Sequence, residues 1–452
     1  MGRLSRSRAL APRGVALPCG PMLAPVPRLT TAQTGPLLQL EQALLDRATD
    51  IEAWLRAEFR ETPAPFYASV DLRNAGFKLA PVDTNLFPAG FNNLNPAFEA
   101  LCVQALQMAI DRVCPTAKGI LLVPENHTRN TFYLENVATL QSLIHKAGYN
   151  VHLGSLLPDL AAPQALKLPS GRELLLEPLR REGGRVAAGS FVPCSVLLNN
   201  DLSGGVPDIL KGLEQPVLPP LALGWHNRLK TGHFSIYREV TTEFGELLDL
   251  DPWLVDPLFR NCGQINFMKR EGEECLAGNV ELLLSDIRDK YREYGVAREP
   301  FVIIKADAGT YGMGVMTVKD AAEVRNLNRD ARKKMAATKE GKEVTGVIIQ
   351  EGVYTSETWG EDRATAEPVV YMIDHHVVGG FYRVHAGRSN QENLNAPGSR
   401  FQMLAFEGAC NHPDPSCGPD ERPNRFYAYG VVARLALLAA SREIAAAGME
   451  KK

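Results

Sequence analysis

The segment FVIIKADAGTYGMGVMTVKD, residues 301–320, decides the fold. It sets Gly309, Gly312 and Gly314 between two short apolar runs, and Lys305 closes the first of them. Glycine tolerates positive φ and close backbone approach, so successive N–H groups can turn into one concavity and bind a polyphosphate. The residues after the glycines separate the candidate loops. A Walker A loop puts lysine directly after its last glycine and opens a helix, and a dinucleotide-binding turn also runs into a helix. Here Val315, Met316, Thr317 and Val318 come next, a strand-forming run, and the order G-x-x-G-x-G fits neither motif. The segment therefore predicts a strand-loop-strand flap over residues 305–315. A glycine-rich turn without a ligand has the same composition. Lys305, however, comes after Val302, Ile303 and Ile304, and a lysine in an apolar strand is costly to bury unless its ammonium reaches a partner.

On the C-terminal side, VIIQE (347–351) is an apolar strand ending in an acid, and YMIDHHVVGGFYRVH (371–385) reads as a hairpin around His375, His376 and the Gly379-Gly380 bend. A charged helix is expected over 321–338 and an alanine-rich closing helix over 427–447. Flap, strand and hairpin, in this order, resemble the ATP-grasp superfamily. That resemblance implies that Lys305, the flap residues Gly309, Thr310, Gly312 and Gly314, and Gln350 and Glu351 hold ATP, with Glu351 on the ribose. It also implies Lys269, in NFMKREGEE, as a first phosphate-binding lysine, and Arg383 on the transferring phosphoryl group, where a planar, permanently charged fork suits developing charge. NQENLNAPG (390–398) offers alternating oxygen donors suited to Mg²⁺, which takes few protein oxygens besides phosphates and water. Asn393 and Asn395 are candidates there, with Glu392, Asp374 or Glu407 as the carboxylate. An Asn-rich turn before Pro-Gly also has a purely structural explanation. One departure stands: the superfamily's late acid-x-Asn metal pair is absent from the end of the chain.

On the N-terminal side, residues 36–62 carry apolar residues at helical spacing. A strand at 119–123, a helix at 134–146, a strand at 150–153 and another at 195–198 predict a parallel unit, so 63–230 reads as an open α/β lobe with ligands at the carboxyl ends of its strands. Three polar clusters lie there. Arg73, Lys78, Asp83, Asn85, Asn92 and Asn93 sit in one Gly/Pro-rich stretch read as a structured loop; Glu125, Asn126, His127, Thr128 and Arg129 come directly after the first strand; Trp225, His226, Arg228, Lys230 and His233 form the third. Each also suits a solvated loop. The fold class is thus α/β, an N-terminal open α/β lobe (36–240) followed by α+β ATP-grasp lobes (241–452). Residues 1–35, rich in arginine and proline without an acid, read as a disordered or mis-started extension.

The chain has 452 residues, 45% hydrophobic and 22% charged, with a formal net charge of -3. That is an ordinary globular composition without a field attracting nucleic acid or acidic membrane, and no apolar run approaches a bilayer span. Eight scattered cysteines contain no CxxC pair. Cys410, His412 and Cys417 lack a fourth ligand for zinc, and a reducing cytoplasm fits.

Over roughly residues 35–450, VDLRNAGFKLAPVDTNLFPAGFNNL (70–94), VPENHTRN (123–130), GWHNRLKTGHF (224–234), KADAGTYGMGV (305–315) and YMIDHHVVGGFYRVHAGRSNQENLNAPGSRFQ (371–402) resemble the proteobacterial glutamate-cysteine ligase family. This implies a cytoplasmic enzyme with glutamate, cysteine and ATP as small-molecule partners, Mg²⁺ as cofactor, no nucleic-acid or membrane partner, and a homo-oligomer left open. It would join the γ-carboxylate of glutamate to the amine of cysteine through an acyl phosphate, the first step towards glutathione. The implied substrate cradle is Arg73, Lys78, Asp83, Asn85, Asn92, Glu125, Asn126, Arg129, His226 and Arg228. Two alternatives remain at this point: another ATP-grasp amino-acid or peptide ligase, such as a glutathione synthetase-like enzyme, and a non-catalytic ATP-binding regulator.

Overall fold

A computed structural model describes residues 29–30, 35–309, 314–336, 344–403 and 425–449. The amphipathic run after Gly35 forms two helices, Pro36–Asp46 and Ala48–Glu61, broken at Arg47. Leu37, Leu40, Leu44, Ile51 and Leu55 line one face and share a core with Val431, Val432 and Leu435 of the closing helix, Arg425–Met449. Short side chains such as Ala433, Ala436 and Ala439, all fully buried, let neighbouring elements approach that helix on every side.

The parallel unit is present. Gly119–Pro124 lies between Asn150–Ser155 and Ser195–Asn199, parallel to both, and the sheet continues to Val217–Leu218 on one side and Glu173–Glu182 on the other. All six residues of Gly119–Pro124 are buried, as a central parallel strand requires. Asn130 caps the crossover helix Thr131–Lys146 by accepting from the Tyr133 N–H at 3.2 Å. Cys114 and Cys194 form a disulfide, with Cα atoms 6.6 Å apart.

Of the stretch from Arg73 to Asn93 expected as a structured loop, the part holding Arg73, Lys78, Asp83 and Asn85 is instead a hairpin of two strands, Tyr67–Asn74 and Leu79–Asn85. It does not join the parallel sheet. Tyr67–Asn74 pairs antiparallel with Ala364–Ile373, which pairs in turn with His376–His385. Pro81 is tolerated because Leu79–Asn85 pairs only with Tyr67–Asn74, leaving its other edge free of ladder bonds. The second hairpin turns at Asp374, whose φ of 52° is left-handed, and His375; Gly379 and Gly380 lie within its return strand. The strand Leu29–Thr30 extends this sheet beside Glu357–Trp359.

The third sheet is antiparallel, in the order Phe259–Cys262, Val347–Glu351, Val302–Ala306, Val315–Val318. The two runs flanking the glycines are therefore paired strands, and the flap is their connection. The helix expected over 321–338 is two short ones, Ala321–Arg325 and Arg329–Ala336. Asp320 caps the first, while Asn328 accepts from the Ala331 N–H at 2.8 Å and restarts the second. Among the described residues no helix is long and apolar enough to cross a membrane. Glu407, Cys410, His412 and Cys417 lie outside the described residues.

Candidate active site

Lys305 ends the strand Val302–Ala306 and points into a cavity between the flap sheet and the Tyr67–Asn85 hairpin. Its ammonium donates to the Val82 carbonyl and to Gln350 Oε1, both at 2.8 Å. The Val82 carbonyl is available because the hairpin register slips there: Asp71 faces Asp83 but Leu72 faces Pro81, leaving Val82 out of the pairing. Neither partner of Lys305 is a carboxylate. Burial pushes its pKa down to about 8, with Asp83 opposing that shift. At the flap, Gly309 (φ 100°) lines the cavity and Gly314 (φ 62°) accepts from the Ala306 N–H at 3.0 Å. Thr310 and Gly312 lie outside the described residues.

Opposite the flap stand carboxylates. Asp71 and Asp83 are directly paired across the hairpin, so their side chains share one face and both line the cavity. Glu367 joins them from Ala364–Ile373. Arg383 Nη1 donates to Asp71 Oδ2 at 2.7 Å and to Glu367 Oε1 at 2.6 Å, and Arg73 Nε donates to Glu367 Oε2 at 3.0 Å. Burial raises the Asp71 carboxyl above its usual range, against the pull of Arg383. Asp83 differs: among the described residues its carboxylate accepts from the Thr84 N–H, at 3.1 Å, and meets no cation at ion-pair distance. Arg383 does not line the cavity. It lies buried behind Asp71 and Glu367 and holds them in place.

Several predicted site residues are committed elsewhere. Lys78 is fully buried and bonded to Glu351 Oε2 at 2.7 Å, and Glu351 also accepts from Trp253 Nε1 and the Leu258 N–H. Glu351 touches the cavity, yet three protein donors already occupy its two oxygens. Arg228 is buried in a clamp with Glu443 and His233: its Nε and Nη2 reach Glu443 at 2.9 Å, its Nη1 holds the Thr84 carbonyl, and His233 Nε2 bonds Thr84 Oγ1 at 3.0 Å. The clamp fixes the strand that carries Asp83. Asn85 shares the Asp83 face but closes its own turn onto Phe87. Asn92 sits in the helical turn Phe91–Asn93, outside the cavity lining.

Glu125, at the end of the central parallel strand, accepts from the Asp201 N–H at 2.9 Å; Asn126 and Arg129 are exposed beside it, and His226 is half-buried. None of these four lines the cavity. Lys269 is exposed on a turn and also stands apart from it. Of the expected metal ligands, Asn393 and Asn395 line the cavity, Glu392 is held by Arg388 at 2.8 Å and by the Ser389 N–H, and Asp374 sits at the hairpin tip 3.4 Å from Arg112. Asp374 is misplaced for a phosphate-bound ion because it caps the far turn.

Sequence reasoning missed Asp71 and Glu367, and it noted Lys230 in a polar cluster and Gln391 in the Asn-rich run without giving either a role of its own; all four line the cavity. One signal was present. Asp83-Thr84-Asn85 is an acid-x-Asn pair, sought near the end of the chain but lying early, and strand pairing carries it to the second hairpin.

The family model for glutamate-cysteine ligase matches residues 41–444. A crystal structure of a protein provisionally named a gamma-glutamylcysteine synthetase, from Methylobacillus flagellatus KT, is 59% identical, covers 93% of this chain and 99% of its own, and superposes with a TM-score of 0.87. A glutathione synthetase-like effector from Globodera pallida (10% identity, 83% and 86% coverage, TM-score 0.34) and D-alanyl-alanine synthetase A from Vibrio cholerae (11%, 71% and 81%, 0.32) are too distant to carry an argument. Among curated proteins none matches. With nearly the whole chain matched by the family model and a 59% identical fold superposed on it, this chain belongs to the glutamate-cysteine ligase family and is an ATP-dependent ligase.

Proposed function

We propose that the cavity between flap and hairpin is the nucleotide and phosphoryl-transfer site, in the manner of an ATP-grasp enzyme, and that γ-glutamylcysteine is made there. One observation carries this: Lys305, without a carboxylate partner, and the flap glycine Gly309 face the Asp71–Asp83 pair across one cavity. Ile303, Val315 and Val353 give an apolar wall suited to adenine, with Gln350 at its edge. Lys305 and flap N–H groups take the phosphates. The γ-carboxylate of glutamate attacks the γ-phosphoryl group, ADP leaves, and the cysteine amine then displaces phosphate from the acyl phosphate. Orientation and charge neutralisation carry such a step, and no protein nucleophile is needed. Arg73, Gln391 and Asn393 border the cavity where the amino acid would meet the phosphoryl group.

The donor set fits Mg²⁺. Among the described residues no three His, Cys, Asp or Glu side chains group closely enough to enclose an ion, and Mg²⁺ with ATP takes one or two carboxylates, phosphates and water. Asp71 and Asp83 would hold it, where it would neutralise phosphate charge. Asp83 therefore moves from the substrate cradle to the metal. A cytoplasmic location suits this reading; in a reducing compartment Cys114 and Cys194 would be thiols.

Phosphate release with glutamate and cysteine, alone and together, tests the reading. Turnover should require both amino acids and should be lost in Lys305→Ala and Arg383→Ala with circular dichroism unchanged. A Lys305→Ala protein with parental turnover would end it.

A further inference from the structure

We infer that Lys230 is a second polyphosphate-binding group of this site, reaching the nucleotide from the helix Lys230–Leu248 rather than from the sheet that carries the flap. The inference rests on the nucleotide site proposed above. Lys230 opens that helix, and its backbone N–H donates to the Asp307 carbonyl at 3.0 Å. The Asp307 carboxylate accepts from the Thr231 N–H at 2.8 Å and Thr231 Oγ1 at 2.7 Å. The base of the flap is thereby bonded to the start of the helix, which fixes where the Lys230 side chain can go. Its ammonium lies over the Trp225 ring, 4.3 Å from the ring centre, and donates to the Gly309 carbonyl at 2.6 Å.

Among the described residues no carboxylate stands at ion-pair distance from Lys230 or from Lys305. An ammonium has three donors. Lys230 uses one of them on Gly309 and Lys305 two on Val82 and Gln350, and both heads line the same cavity. Two half-buried ammonium groups share one cavity, and neither is paired directly with a carboxylate although Asp83 acts on both from a distance. Burial lowers the pKa of Lys230, and Lys230 in turn is among the groups that lower that of Lys305. A triphosphate would take the donors that Gly309, Val82 and Gln350 leave over on the two heads, with the carbonyl of Gly309 marking where Lys230 now rests. Lys269, implied by resemblance as the partner of Lys305, is exposed and outside the cavity, so the cation comes from a different part of the chain.

The experiment compares Lys230→Met, which keeps a flexible side chain of similar length but removes the charge, with Lys230→Arg, which keeps the charge. Affinities for a non-hydrolysable ATP analogue and for AMP are measured by calorimetry on the full chain. Losing one charge-assisted contact should weaken the analogue about 10- to 100-fold in Lys230→Met, less than about 3-fold in Lys230→Arg, and leave AMP unchanged in both. A flap anchor without phosphate contact would make Met and Arg equally weak; equal losses for AMP and the analogue, or no loss at all, would likewise overturn the inference. If the parent chain itself fails to bind the analogue, the nucleotide site falls, whatever Lys230 does.

Discussion

Asp83 stands directly across the antiparallel ladder from Asp71, so a single hairpin turns two carboxylates toward the flap lysine. They are not equivalent. Asp71 is pinned by Arg383 at 2.7 Å, whereas Asp83 has its Thr84 backbone contact and, among the described residues, no cation at ion-pair distance. Asp83→Asn should therefore lower ligase turnover about 100- to 1000-fold while moving stability by no more than about 0.5 kcal/mol, as for a side chain without structural partners. Steady-state rates at varied Mg²⁺, beside a thermal melt, check this. Parental turnover in Asp83→Asn would remove the metal assignment.

Lys305 predicts a pH limb. Burial brings its pKa to about 8, and phosphate binding needs the protonated form, which is lost as pH rises through that value. The kcat/KM for ATP should thus fall above about pH 8, and Lys305→Arg, always charged, should retain part of the activity and flatten the fall. A limb unchanged in Lys305→Arg would assign it to another group.

The Lys78–Glu351 pair, at 2.7 Å and almost without exposure, is expected to act on the fold. Breaking it in Glu351→Gln leaves a buried ammonium without its counter-charge and should cost about 3–5 kcal/mol, whereas Lys78→Met with Glu351→Leu should recover most of that. Urea unfolding of the three proteins decides. If Glu351→Gln keeps parental stability and weakens ATP instead, the ribose role returns.

Glu443 links the closing helix to Arg228 and His233. Burial alone would raise its pKa, but Arg228 and His233 outweigh that and hold it near 2 against an ordinary 4.5. A depressed carboxylate stabilises the fold above its unfolded pKa and loses that contribution as pH falls, here between about 4.5 and 2. The loss is on the order of 3 kcal/mol, and Glu443→Gln should remove that acid-dependent portion. Denaturation at pH 6 and at pH 3 measures it.

Lys269, exposed on its turn, should be dispensable. Lys269→Ala should leave the KM for ATP within about twofold; a tenfold rise would show that the turn reaches the phosphates.

Local elements were legible wherever their physics is local. The flap could be read because a lysine at a strand end, three glycines and a second apolar run are contiguous, and the parallel unit because strand, helix and strand succeed one another within about 35 residues. Residues 67–85 misled because charged and amide groups alternate with apolar ones around Pro81, which suits a loop as well as a polar-faced edge strand. The same composition hid the acid-x-Asn pair.

By itself the sequence determined that one glycine-spaced segment would join two strands, and that one lysine there would need a polar partner. Only the tertiary structure decided which charges share the cavity. Asp71, Asp83 and Glu367, with Arg383 behind them, are brought together by ladders between strands almost 300 residues apart, and Lys78, Arg228 and Glu351 are engaged by ion pairs or hydrogen bonds of equally long range. Charge pairing acts through space and has no signature in residue spacing, so residue type shows what a side chain can do and packing settles which partner it meets.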